Sequence, residues 1–111
     1  MRKCSINIKD KDYTIQLNRE SVMWLENTGF AVEDFYKKPV TSIELLWTTG
    51  FLMNHSEVNP NLALKLMESY TEEGGDVAEV ARFVLEEYQS FINALSVTNS
   101  KKKKKATITE I

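Results

Sequence analysis

A chain of 111 residues, 42% hydrophobic and 27% charged, has the composition of a soluble globular protein, and the roughly 95 residues ahead of its lysine-rich end suffice for one small domain but not two. Residues 1–100 carry 9 Lys and Arg against 15 Asp and Glu, a net of −6, whereas residues 101–111 carry 5 against 1, a net of +4; an acidic body whose only basic cluster lies outside the fold argues against nucleic acid as the main ligand, since phosphate neutralisation needs a basic face. No apolar run approaches the roughly 20 residues that span a bilayer, no hydrophobic signal region follows Met1-Arg2-Lys3, and a lone Cys4 excludes an internal disulfide, so a reducing cytoplasm and no membrane are expected.

Ile6 and Ile8 alternate with Ser5, Asn7 and Lys9, and Tyr13, Ile15 and Leu17 repeat the pattern after the polar Asp10-Lys11-Asp12 link. Period-two alternation across a short polar link predicts a β-hairpin over 4–17 with one apolar face. A lone hairpin is marginal in water, so that face must rest on helices. Asn18 is a cap for a helix over about 19–28 that carries Val22, Trp24 and Leu25, and Gly29 supplies its left-handed stop. Residues 30–38 suggest a short helical turn ended by Pro39.

Thr41 and Ser42 open a second predicted helix over about 42–54, with Ile43, Leu46, Trp47, Gly50 and Phe51 at spacings of three and four. Leu45, Leu52 and Met53 make it apolar on more than one side, which marks it as the central element. Asn59-Pro60 reads as an N-cap followed by proline at the first helical position, opening a helix over about 60–73 with Leu62, Ala63, Leu66, Met67 and Tyr70 and stopped by Gly74-Gly75. Asp76 caps the last helix, about 77–97, whose stripe from Val77 through Val80, Val84, Tyr88 and Leu95 holds for about five turns. Five consecutive lysines, Lys101, Lys102, Lys103, Lys104 and Lys105, repel one another and bury nothing, so 99–111 is read as a disordered, solvated tail behind a single globular domain over 1–98. The fold class is therefore mainly α (α+β): an N-terminal β-hairpin packed on a bundle of about four helices.

No catalytic, metal or cofactor constellation is legible. Gly74-Gly75 lacks the lysine and hydroxyl residue of a phosphate loop. Asp10 and Asp12 start a calcium-loop spacing with no glycine or closing glutamate. His55 sits in a polar Asn54-His55-Ser56-Glu57 loop without a second ligand or nucleophile nearby, so it reads as a surface histidine. No enzyme is expected. What stands out is apolar surface: Trp24, Phe30, Phe35, Tyr36, Trp47 and Phe51 crowd into about thirty residues, and aromatic anchors are enriched at protein interfaces. Trp47 and Phe51 on the central helix belong to the core. For Trp24, off the Val22/Leu25 stripe, and for Phe30 and Phe35 in the link, core filling and partner binding both remain open. Met53 and Met67, with Met23 and Leu52, add side chains that adapt to varied partners.

The hairpin ending Tyr13-Thr14-Ile15-Gln16-Leu17-Asn18, then a helix ending Trp24-Leu25-Glu26-Asn27-Thr28-Gly29, then a link, a Leu- and aromatic-rich helix (Leu45-Leu46-Trp47 to Leu52-Met53) and a terminal amphipathic helix, resembles the tail assembly chaperones of long-tailed bacteriophages and prophages. The resemblance covers roughly residues 4–96 and rests on order and pattern, not on an invariant motif. It implies a protein that binds the long, largely helical tape measure protein and keeps it soluble in the host cytoplasm until tube subunits polymerise, and that is absent from the mature virion. It also implies a longer form, made by ribosomal frameshifting, that recruits the tail tube protein; the Lys101 to Lys105 codons lie where the slippery site is expected. Trp24, Phe30, Phe35, Met53 and Met67 are the residues expected to bind the partner or to mediate self-association. Two other readings stand beside this one: a head-tail adaptor retained in the virion, and a small helical DNA-binding regulator. The second lacks a basic recognition helix, since the candidate helices 43–54 and 60–73 hold only Lys65.

Overall fold

Ile6 and Ile8 in β1 (Lys3–Ile8) and Tyr13 and Ile15 in β2 (Lys11–Gln16) alternate with polar residues, and in the computed structural model, which describes residues 2–95, the two strands pair antiparallel with Ile6 opposite Tyr13. Lys9 and Asp10, with φ of 50° and 63°, make the turn, one residue earlier than the polar link suggests. Positive φ at both central residues matches the right-handed twist of the flanking strands. Five helices follow: α1 (Arg19–Asn27), α2 (Asp34–Lys37), α3 (Pro39–Phe51), α4 (Pro60–Glu72) and α5 (Val77–Leu95). The chain is a hairpin on a mainly helical body, and no helix among the described residues is long and apolar enough to cross a membrane. The lysine run and the remainder of 96–111 lie outside the described residues.

The helix ends follow local chemistry. Ser21 N–H donates to Asn18 Oδ1 (2.9 Å) while Asn18 N–H donates to Ser21 Oγ (2.8 Å), a reciprocal cap that fixes the start of α1. Leu62 N–H donates to Asn59 Oδ1 (2.8 Å) at α4, and Glu79 N–H to Asp76 Oδ1 (3.1 Å) at α5. Gly29 and Gly74, at φ of 85° and 87°, stop α1 and α4 in the left-handed region. Pro39 departs from its expected role. It opens α3 as well as ending the turn before it, because a residue without an N–H loses nothing at a first helical position, and Lys38 ahead of it is held out of the helical region. Thr41 and Ser42, expected to start this helix, therefore lie inside its first turn; Ser42 is buried and its Oγ has no partner among the described residues.

α3 is the hub, packing against β2, α1, α2, α4 and α5. Leu46, Trp47 and Phe51 are fully buried on it. Burying an indole N–H costs free energy unless it is bonded, and Trp47 Nε1–H donates to the Ala63 carbonyl of α4 at 2.8 Å. Ring contacts continue from Tyr70 (5.4 Å) through Trp47 to Phe51 (5.2 Å) and on to Tyr13 (5.5 Å), tying α4, α3 and β2 together. Gly50 lets these elements meet: a Cβ there would lie 2.5 Å from Ile15 Cγ2 and 3.2 Å from Val84 Cγ2.

Polar contacts anchor the hairpin at three places. The buried Glu87 carboxylate accepts from Arg2 N–H (2.8 Å) and Arg2 Nε–H (2.9 Å), and the guanidinium lies over the Phe83 ring. Lys9 N–H donates to the Glu73 carboxylate at the end of α4 (3.1 and 3.2 Å). Thr14 N–H, on the outer side of β2, donates to His55 Nε2 at 2.9 Å, while Asn54 Nδ2–H donates to Gln16 Oε1 at 3.2 Å. His55 is thus not the surface histidine expected from its polar loop. Its ring, 16% exposed, packs edge-on against Tyr13 and Phe51, because an unpaired strand-edge amide provides a partner that lies forty-one positions away in sequence.

Gly50→Ala is expected to lower stability by about 1–3 kcal/mol, as overpacking does, even though alanine favours helix. Urea denaturation checks this; an unchanged or raised midpoint would contradict the close approach.

Candidate partner-binding surface

α1 turns Ser21, Val22 and Leu25 into the core, and Trp24 falls on the flank of that stripe. Its ring is half-buried and packs against the edge of the core at the seam where α1 meets α3. Two adjoining clefts share it. One, of about 240 Å³, is lined by Asn18, Glu20, Ser21, Trp24, Leu52 and Met53; the other, of about 190 Å³, by Trp24, Thr28, Glu44, Leu45, Thr48, Pro60 and Leu64. Met53 is 41% exposed at one end, and Met23 is exposed on the neighbouring face of α1. The carboxylates of Glu20 and Glu44 are the charged groups of the lining, and no Lys or Arg contributes to it. A shallow apolar trough with an acidic rim offers dispersion contact and burial to an apolar side chain, and attraction to a cation beside it.

The structure brings Trp24 and Met53 together in one cleft and leaves the other expected site residues elsewhere. Of the two readings open for Phe30, the structure favours core filling: at 7% exposure it is set edge-on to Tyr88 at 5.9 Å, and what remains open lines a separate cleft of about 120 Å³ with Thr28, Asp34 and Lys38, apart from the Trp24 clefts. The left-handed Gly29 ahead of it turns the link back across α5, which a sequence pattern does not reveal. Phe35 is half-buried at the core's margin against Tyr36 (5.6 Å), and Met67 is half-buried on α4; neither lines the Trp24 clefts. Leu64, Pro60 and Glu44 went unforeseen as lining. Pro60 opens α4 as its sequence predicts, and its apolar ring lines the cleft as well.

A broader cleft of about 570 Å³ lies beside α5, lined by Glu26, Val32, Tyr88, Gln89, Ile92 and Asn93. Burial, then the neighbouring Glu26, pushes the Tyr88 hydroxyl above its ordinary range. This cleft adjoins the end of α5, beyond which the chain is not described, so the Trp24 trough, complete within the described residues, is the candidate surface. Elsewhere the Cys4 thiol is raised first by burial and then by Glu79, which favours its protonated form over a nucleophilic thiolate. Among the described residues no group of three or more His, Cys, Asp or Glu side chains is arranged to hold a metal ion.

A family model described as a domain of unknown function, DUF5055, matches residues 2–110. Neither a curated protein nor a solved structure matches the chain.

Phe30→Ala is expected to cost about 3–5 kcal/mol, as for a fully buried ring, and Trp24→Ala less than half as much. Urea denaturation of both variants checks the order. In the parent protein, iodide should quench Trp24 fluorescence and spare Trp47; equal quenching would contradict the placement of the two indoles.

Proposed function

This chain belongs to the DUF5055 family, and within that family we propose that it acts as a bacteriophage tail assembly chaperone, holding the tape measure protein soluble until the tail tube forms around it. The observation that carries the reading is the Trp24 trough with its Glu20 and Glu44 rim, an apolar surface left open on a body whose other aromatics, Tyr36 apart, are buried in the core or packed against it. Its order of elements, from the hairpin through the Trp24-to-Gly29 helix end to the long final helix, supports the resemblance drawn from the sequence.

Before assembly, a long helical protein exposes repeated amphipathic stripes that aggregate in water. Helix-in-groove capture needs apolar anchors and a tolerant lining. Trp24 supplies a rigid anchor, and Met53 and Leu52 supply shape that adapts as successive stripes differ in sequence. The acidic rim favours stripes flanked by Lys or Arg and disfavours acidic competitors. Such a protein works in the host cytoplasm and leaves before the virion is complete. A longer frameshifted form recruiting the tail tube protein belongs to the same reading, with its slippery site in the Lys101 to Lys105 codons.

Co-expression with the tape measure protein, followed by purification on a tag at the N-terminus of this chain, tests the role. The long partner is expected to become soluble and to co-purify, with Trp24→Ala weakening capture about tenfold, equivalent to about 1.4 kcal/mol. A partner that stays insoluble beside abundant wild-type chain would contradict chaperone action.

A further inference from the structure

The two edges of the hairpin are treated differently. On β2 the outward amide of Thr14 is bonded to His55 and the Gln16 side chain to Asn54, so the segment after α3 occupies that edge. Antiparallel pairing alternates, and with Thr14 facing outward its partner Ser5 faces outward too, as do Lys3 and Asn7, while Lys9 follows in the turn. Lys9 N–H is taken by Glu73. The amides of Lys3, Ser5 and Asn7 meet no acceptor among the described residues, and all three residues are exposed. An uncapped edge of this kind is a template for another strand.

We propose that β1 is a self-association edge, where a second copy of this chain adds its own β1 antiparallel across a two-fold axis at Ser5. The window is centred on Ser5 because Glu73 closes it at Lys9. That register sets Ser5 opposite Ser5 of the second copy and Lys3 opposite Asn7, exchanging about six backbone hydrogen bonds with no like charges facing each other. Shifting by one pleat toward the turn, so that Ser5 meets Asn7, would set Lys3 against Lys9 and demand an amide already bonded to Glu73, while the opposite shift, with Ser5 against Lys3, carries Asn7 past the start of the partner strand and keeps only about four of the bonds. The product is a four-stranded sheet, β2-β1-β1-β2, with each copy's helices still covering its own apolar face. This interface is independent of the Trp24 trough and does not rest on the chaperone reading.

Engineered thiols test the register on the full chain. In a Cys4→Ser background, Ser5→Cys places two thiols across the axis on α-carbons about 5.5 Å apart, within disulfide reach. Lys3→Cys in the same background leaves them about 13 Å apart along the strand, beyond it. Mild oxidation is expected to convert most of the first variant, and little of the second, to covalent dimer. Sedimentation of the wild-type chain should show a dimer that Ser5→Pro abolishes with its circular dichroism unchanged, since proline at an outward-facing edge amide leaves the β1–β2 ladder whole. Equal cross-linking of the two cysteine variants, no cross-linking of either, or a wild-type chain monomeric at all concentrations would overturn the proposal. So would a Ser5→Pro chain that is folded and still dimeric.

Discussion

At Gly50 the backbone of α3 lies against Ile15 of β2 and Val84 of α5 with no room for a Cβ, and that approach fixes where the other elements go. Because the helix is drawn down onto the hairpin, its opposite flanks remain available to α1 and α4. Trp47, pointing toward α4, is then buried deeply enough that its indole N–H needs the Ala63 carbonyl. The same approach carries the chain after Phe51 alongside β2, where His55 meets the Thr14 amide. One small residue thus links the core, the α4 contact and the closing of a sheet edge.

The surface follows from the core. A hairpin and short helices cannot enclose every apolar side chain in a body of this size. Trp24 is left half-exposed because the stripe of α1 is taken by Val22 and Leu25, and the arrival of Pro60 and Leu64 makes a trough beside it where a convex ridge would otherwise stand. Surface polar groups are arranged unevenly as well. β2 is closed at Thr14 by a side chain, whereas the middle of β1 is left open. Apolar trough and open edge lie on different elements, so one protein could hold a partner helix and pair with a copy of itself at the same time.

Much of the fold was legible because its signals are local. Alternation gave the hairpin, three-and-four spacing gave the long helices, and Asn18, Asn59 and Asp76 announced helix starts through bonds to amides three residues on. What was missed depends on contacts between residues far apart in sequence. His55 looked solvent-facing because its neighbours are polar, yet its partner is Thr14. For Phe30 the sequence leaves core and surface both open, and the choice is made by Gly29, which folds it onto Tyr88. Pro39 has two roles that sequence alone does not separate, because the physics that forbids it inside a helix permits it at the first turn. For the surface, Trp24 and Met53 could be named from composition and stripe, but their shared cleft exists only because α1 and the end of α3 meet.

Hydrogen exchange with and without an amphipathic helical peptide, carrying one apolar stripe flanked by lysines, tests most directly whether the Trp24 trough is a helix-binding surface. Saturating peptide should slow exchange at amides over 20–28 and 52–64, leaving β1 unchanged. Protection confined to other segments, or none under conditions where the peptide binds, would contradict that account.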